Sequence, residues 1–321
     1  MNHLLTTLLA AAATLLTFAP MASHAQSSGP VVRLIVPLAA GGPSDQAARL
    51  LAKAMSKTLG QEVIVDNKSG ASGAIGAQAL ASAAADGNTL LFTPSSMAGL
   101  PVLLKAPPFA SMTVFTAIGA VGGNQLCLFA TPGLPVKTAQ EFFAHVRANP
   151  DKMSYGASSP LEYLVMSQTL SAVGINMTRI PYRGSAQMMP DLLEGRVQAA
   201  FMPAGIGLPH AKNGKLKLLA CGVDKRVPAL SDTPALREVG AQAVDVRAYH
   251  LVLAPAKLAP DVAARLTDAV RRAAADADVR AEYERLLIPV DVLTPQQTTE
   301  LIRESERVWV KFARDTGLTP E

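Results

Sequence analysis

The feature that most constrains this chain is a repeated alternation of strand-like and helix-like segments between residues 31 and 93. Val31-Val32-Arg33-Leu34-Ile35-Val36-Pro37 is a nearly continuous apolar run, as expected of a strand buried on both faces. A turn, Ala39-Ala40-Gly41-Gly42, follows it. The spacing of Ala47, Leu50, Leu51, Ala54, Met55 and Leu59 then predicts a helix from Pro43 or Ser44, stopped by Gly60 in a left-handed cap. Residues 62–65 read as a second strand. The segment from Gly70 leads into an Ala-rich helix ending near Asp86-Gly87, and 88–93 reads as a third strand. Such a β-loop-α repeat specifies an α/β fold with a mostly parallel sheet flanked by helices.

The alternation continues with strands at 125–131, 153–157, 176–180, 197–202 and 216–222, and helices at 138–148, 161–173 and 186–194. Thr138-x-x-Glu141 is a capping box at the start of one helix. From Pro260 the pattern changes to charged amphipathic helices, at about 260–287 and 295–314. Thr294-Pro295-x-Gln297 opens the last of them. No low-complexity linker interrupts the alternation, so two domains would be joined by strands that cross between them.

A mean hydropathy of +0.24 raises the question of a membrane protein. The N-terminus supplies part of the answer. Residues 4–18 are apolar, Pro20 follows, and Ser23-His24-Ala25 has the small-x-small form of a cleavage site. Residues 1–25 are therefore expected to be a cleaved signal peptide, with the cut after Ala25, although Lys and Arg are absent from its start. The apolar run is shorter than the roughly 20 residues a span needs, and no Cys near the cut offers a lipid anchor. The stretch 90–130 carries only Lys105 but is broken by prolines and glycines, as buried strands are. The net charge of +4 is scattered, and aromatic residues are few, so nucleic acid is not an expected partner.

Catalytic chemistry finds little support. Gly70-Ala71-Ser72-Gly73-Ala74 approaches a nucleophile-elbow pattern but ends in Ala, and no S-x-x-K occurs. A secreted serine hydrolase using Ser72 is the least favoured reading. His145, His210 and His250 are scattered and match no metal-ligand spacing, so neither metal nor cofactor is expected. Cys127 and Cys221 lie in strand-like runs and are expected to be two buried free thiols. An oxidising compartment would permit a disulfide between them, but sequence does not place them within reach. The turns at 40–45 and 69–73 lie between strand and helix, and Pro94-Ser95-Ser96 lies at another strand end. In an α/β sheet such turns gather at the strands' carboxyl edge, where backbone N–H groups and helix N-termini can hold a small anion.

The order of motifs along the chain resembles the Bug-type extracytoplasmic receptors of tripartite tricarboxylate transporters. The likeness begins at Arg33-Leu34-Ile35-Val36-Pro37-x-x-x-Gly41-Gly42-x-x-Asp45-x-x-x-Arg49. It continues through Leu59-Gly60-Gln61-Glu62-Val63-Ile64-Val65-Asp66-Asn67-Lys68-x-Gly70-Ala71-x-Gly73 and Ala85-Asp86-Gly87-Asn88-Thr89. It resumes at Ser154-Tyr155-Gly156-Ala157-Ser158-Ser159, Ile180-Pro181-Tyr182-Arg183-Gly184-Ser185 and Asp191-Leu192-Leu193-Glu194-Gly195-Arg196, and it extends to Leu253-Ala254-Pro255.

The resemblance implies a two-lobed, periplasmic-binding-protein-like fold of type II, with the ligand in a cleft between lobes. Residues 26–123 and 252–321 would form lobe 1, and 124–251 lobe 2. It implies a monomeric periplasmic receptor, not an enzyme, that captures a small carboxylate and hands it to membrane permease subunits. A sensor subunit signalling to a membrane kinase is the alternative. In the family, the carboxylate is held by backbone N–H groups, hydroxyls and waters rather than by Arg or Lys. Carried onto this chain, the implied lobe-1 contacts are Leu38, Ala39, Ala40, Gly41, Gly42, Ser72, Ser95 and Ser96, with Asp45 fixing the first loop. Those from lobe 2 are Ser158, Ser159, Arg183, Gly184, Ser185 and Met202.

Three departures from the family pattern stand out. Pro160-Leu161-Glu162 replaces a Gly- and Ser-rich stretch. Met202-Pro203 stands where an Asp is common, which argues against an α-amino acid ligand. Tyr249-His250 falls in a stretch usually rich in Trp and Tyr. Met97, Met202 and Tyr249 point to a more apolar pocket, suited to an apolar or aromatic carboxylate.

Overall fold

The computed structural model describes residues 29–182, 184–223, 225–241 and 248–320. The expected signal peptide and Arg183 lie outside the described residues. The chain folds into two lobes, each built on one sheet. The first sheet contains β1 (Val32–Val36), β2 (Val63–Asn67), β3 (Thr89–Pro94), β4 (Thr116–Gly122), β10 (Tyr249–Ala254) and β11 (Val292–Leu293), in the order β11-β4-β10-β3-β1-β2. The second contains β5 (Leu126–Ala130), β6 (Ser154–Ala157), β7 (Thr178–Pro181), β8 (Ala199–Pro203) and β9 (Lys217–Cys221), in the order β7-β6-β8-β5-β9.

The helices are α1 (Pro43–Leu59), α2 (Ala74–Ala81), α3 (Leu100–Leu103), α4 (Ala139–Ala148) and α5 (Pro160–Val173), followed by α6 (Ser185–Leu193) and α7 (Ala204–Lys212). The C-terminal helices are α8 (Pro260–Ala275), α9 (Ala277–Arg285) and α10 (Pro295–Thr316). The expected single helix over 260–287 is divided at Asp276, whose extended ψ of 134° ends α8. Its carboxylate then accepts from the Asp278 and Val279 amides and starts α9.

Both sheets are mixed. β1 runs parallel to β2 and β3, and β6 parallel to β7 and β8. β10 is antiparallel to β3 and β4, β11 to β4, and β5 to β8 and β9. The antiparallel pairs follow from connectivity. The chain leaves the first sheet on β4 for the second lobe and comes back on β10, so these two strands run in opposite directions side by side. All six residues of β10 pair in the first sheet, so the lobe boundary expected at 251/252 falls inside this strand.

Alternate residues of β1 enter opposite layers, as the period of a strand requires. Val32, Leu34 and Val36 pack with Leu51 and Met55 of α1 and Val270 of α8. Ile35 faces the other way, toward Ala77 and Leu80 of α2 and Leu301 of α10. The second sheet repeats the plan: Leu128 and Phe201 pack with α4 and α5, while Phe129 and Met202 pack with α6 and the residues around α7. Helix α10 serves both lobes. Its Leu301 and Ile302 belong to the first, whereas Trp309 and Phe312 join the core of the second, where Phe312 meets Tyr163 edge-on at 5.1 Å.

The expectation of two free thiols is overturned. Cys127 and Cys221 are directly opposed on β5 and β9 and form a disulfide. They are 94 residues apart in sequence, and only the register of those strands brings their Cα atoms to 4.0 Å. At the crossover, the Gly123 amide donates to the Ala248 carbonyl at 3.0 Å. A Cβ on Gly123 would sit 2.7 Å from the Ala248 carbonyl carbon, so the two connecting segments pass too closely for a side chain.

Candidate functional site

A cavity of about 570 Å³ opens between the two sheets. It lies where strands give way to helices. Gly42, Gly73, Ser159, Gly184 and Pro203 are the N-cap residues of α1, α2, α5, α6 and α7, and all line this cavity. Helix N-termini carry unpaired N–H groups and positive partial charge that favour an anionic group; at α1 and α5 the chain's own Asp45 and Glu162 already take part of it, which leaves the ends of α2, α6 and α7 without a carboxylate in their first turn. Among the described residues, the lining includes no Lys or Arg. Met97, Leu100, Leu103, Leu126, Leu161 and Trp309 supply apolar wall.

The loop after β1 is held in place by Asp45, which is 2% exposed. Its Oδ2 accepts from the Gly41 amide at 2.8 Å and from Arg49 Nε at 2.9 Å, and its Oδ1 accepts from Asn67 at 2.9 Å. Burial opposes ionisation of Asp45, but Arg49, the Gly41 amide and Asn67 together hold its pKa below the usual value. Leu38, Ala39 and Gly42 of this loop line the cavity, whereas Ala40 and Gly41 do not. The Gly41 amide is turned to Asp45 instead of the cleft. Asn67, whose amide also donates to the Leu38 carbonyl at 3.1 Å, is a further brace for the loop.

Ser72, Ser95 and Ser96 line the same side. Ser72 sits in a turn whose residues 70–73 all have positive φ, including Ala71 at 45° and Ser72 at 54°. Non-glycine residues rarely adopt that region, so this turn is strained where it meets the cleft. Ser95 is nearly buried and accepts from the Tyr249 amide at 3.3 Å. No hydrogen bond joins Ser72 to a described histidine. The cleft histidine, His250, is engaged elsewhere.

His250 is 1% exposed, stacks on Phe92 at 4.7 Å and lines the cavity. Its Nδ1 lies 3.1 Å from the Gly122 carbonyl, which can only accept, so Nδ1 carries the proton. Nε2 then accepts from the Ser44 hydroxyl at 3.0 Å, and Ser44 accepts in turn from Asn124 at 3.2 Å. Burial pushes the imidazole down to about 4, so it stays neutral.

On the second lobe, Ser158, Ser159, Gly184 and Ser185 line the cavity with Glu162. Glu162 is 4% exposed and occupies the first turn of α5. Its Oε2 accepts from the Ser158 amide at 2.6 Å and the Ser158 hydroxyl at 2.8 Å. Burial raises the pKa of this carboxyl, against the lowering effect of Ser158 and Ser159. Met202 does not reach the cleft. It is fully buried against β5, and its neighbour Pro203 lines the cavity instead. The Tyr182 hydroxyl donates to Asp191 at 2.5 Å, and Arg196 Nε donates to the same carboxylate at 2.7 Å, which ties Tyr182 to α6.

Glu162, Asn124, Ser44 and Trp309 were not among the residues expected from the sequence. Glu162 had a signal, because it follows Ser159-Pro160 at a helix start, but a carboxylate is not an obvious neighbour for an anion. Trp309 lies far along the chain and reaches the cleft only because α10 crosses both lobes.

The model of the tripartite tricarboxylate transporter family receptor matches residues 47–318. A UPF0065 protein in the gbd 5' region of Cupriavidus necator is 32% identical over 316 residues, 97% of this chain and 95% of that protein. The solved structure of the periplasmic binding protein BugD superposes with a TM-score of 0.77 at 29% identity, covering 91% of this chain and 99% of that one. A structure of Rpa4515 from R. palustris with adipate superposes with a TM-score of 0.79 at 26% identity, covering 92% and 99%.

Proposed function

This chain belongs to the tripartite tricarboxylate transporter receptor family, and on that premise we propose that it captures a small carboxylate in the cleft between its lobes. The family is one of periplasmic solute-binding receptors, not of enzymes. The observation that carries the reading is the meeting of five helix N-caps around a cavity whose described lining includes no cationic side chain. In water a lone N–H donor competes poorly for a carboxylate. In a closed cleft, several fixed donors and helix dipoles act together and replace a point charge.

In this reading the carboxylate sits on the first-lobe side, near Ala39, Gly42, Ser72 and Ser96. The apolar wall of Met97, Leu103, Leu126 and Trp309 takes the body of the ligand. Residues 26–123 and 252–321 act as one lobe and 124–251 as the other, except that 249–251 move with the first sheet. Closure turns on the paired segments at Gly123 and Ala248, and the loaded receptor delivers its ligand to membrane permease subunits. Export would remove residues 1–25.

A thermal-shift screen of carboxylates, sugars and cationic compounds tests this. At least one carboxylate is expected to raise the melting temperature in a concentration-dependent way. Stabilisation by sugars or cationic compounds alone would overturn the reading.

A further inference from the structure

Two helix ends at the cleft hold an anion of their own, Asp45 in the first turn of α1 and Glu162 in that of α5 (Pro160–Val173), but Asp45 is paired with Arg49, whereas the hydrogen bonds to Glu162 come from serine. Glu162 lies in the first turn of this helix, and its carboxylate folds back over the end. It takes the Ser158 amide at 2.6 Å and the Ser158 hydroxyl at 2.8 Å, both on Oε2. Those are the donors a bound carboxylate would need at this position. Once Ser158 donates to Glu162, its contact with Ser185 at 3.1 Å must be donated by Ser185. The hydroxyl protons of both serines then point within the protein, not into the cavity.

The consequence is an asymmetric cleft. On the first-lobe side, Asp45 is tied up by Gly41, Arg49 and Asn67 and presents a braced loop to the cavity. On the second-lobe side, the buried Glu162 carboxylate lines the cavity; of its roughly four lone-pair positions Ser158 occupies two, both on Oε2, and Ser159 lies beside the group, so what it can offer a ligand is an acceptor position on Oε1. Among the described cleft residues no Lys or Arg lines the cavity beside it, and Arg183, which precedes Gly184, lies outside the described residues. An acceptor in that position recognises a donor.

We propose that Glu162 is a specificity-determining residue: it makes the second-lobe end of the cleft selective for a hydrogen-bond donor, such as a hydroxyl, amide or ammonium, and rejects a second carboxylate. The ligand class is then a monocarboxylate with an apolar body and a donor at its far end. This rests on the carboxylate-receptor reading and narrows it. Placing a like charge beside the ionised Glu162 is unfavourable by enough to separate matched ligands, and because burial raises the pKa of this carboxyl the comparison is made at alkaline pH.

Calorimetric titration of the protein with straight-chain ligands of matched length decides it. The set pairs dicarboxylates, adipate among them, with ω-hydroxy, ω-amide and ω-amino monocarboxylates. The donor-bearing ligands are expected to bind about tenfold or more tighter than the dicarboxylate of equal length. In Glu162→Gln, which keeps an acceptor for Ser158 but removes the charge, the dicarboxylate should gain at least as large a factor relative to its partner. The comparison in the unaltered protein stands even if the variant folds poorly. A dicarboxylate that binds as tightly as its donor-bearing counterpart would overturn the proposal while leaving the carboxylate reading intact. So would a preference that Glu162→Gln does not change. If no carboxylate of the set binds while a ligand without a carboxylate does, the underlying reading falls, and this proposal falls with it.

Discussion

Ser44 and His250, 206 positions apart, meet at 3.0 Å and join the first turn of α1 to β10 beside the crossover between the lobes. The bond needs a neutral imidazole, because Nε2 must accept while Nδ1 donates to the Gly122 carbonyl. Protonation of His250 in the unfolded chain centres near 6.5, whereas burial holds the folded imidazole at about 4. Between those values the unfolded state binds more protons, so stability falls as pH drops. The difference corresponds to about 3 kcal/mol when complete.

Glu162 acts in the opposite sense. Burial raises its folded pKa above 4.5, so its contribution is complete below that value and is lost as pH rises through the folded pKa. Urea midpoints measured from neutral pH down to about pH 4 should therefore fall in the unaltered protein, and more steeply in Glu162→Gln. His250→Gln should flatten the acid limb. An acid limb unchanged in His250→Gln would show that other groups carry it.

The left-handed turn at 70–73 yields a separation of stability from binding. Ser72 at φ 54° is in a region that glycine adopts freely. Ser72→Gly should raise stability by about 1 kcal/mol through relief of backbone strain. It should also weaken ligand binding, because the hydroxyl at the cleft is lost. Parallel melting and titration of this one variant check both signs.

The Cys127–Cys221 disulfide should leave no free thiol in the unfolded, unreduced protein. Mass spectrometry after alkylation under denaturing conditions reads this directly. Replacing both cysteines by Ala removes a cross-link between adjacent core strands and should lower stability by about 2–4 kcal/mol.

Trp309 ties the C-terminal helix to both lobes. It is 3% exposed, packs in the second-lobe core and lines the cleft, and a Cβ on Gly99 would lie 2.5 Å from its ring. Trp309→Ala should destabilise the protein by about 3–5 kcal/mol. Gly99→Ala should also destabilise it, through overpacking against the same ring, and denaturant unfolding compares the two.

Much of the first lobe was legible in the sequence for a simple reason. Strands such as Val32–Val36 are buried except at Arg33, so their runs are nearly all apolar, and the helix after them keeps its period up to a glycine cap at Gly60. The capping boxes at Thr138 and Thr294 were readable because they are local. What escaped depends on distant partners. Helix α7 contains Gly205, Gly207 and Pro209, all poor helix formers, and Gly207 is needed because a Cβ there would meet the Phe129 ring at 2.4 Å. The disulfide depends on the β5–β9 register, and the mixed sheets on how the chain crosses between lobes. In the cleft, serines and glycines in strand-to-helix turns were visible as a class, but which of their hydrogen bonds are already engaged was not. Gly41 is turned to Asp45 and Ser158 to Glu162, and neither fact can be read from a motif.

The central claim is that helix ends and backbone donors hold an anionic carboxylate without a cationic side chain. The most direct measurement is a calorimetric comparison between the best carboxylate ligand and its primary amide, which has the same shape and no charge. The account predicts that the amide binds at least about tenfold more weakly, since charge-assisted hydrogen bonds and helix dipoles act on the carboxylate alone. Equal affinity for the two would contradict it.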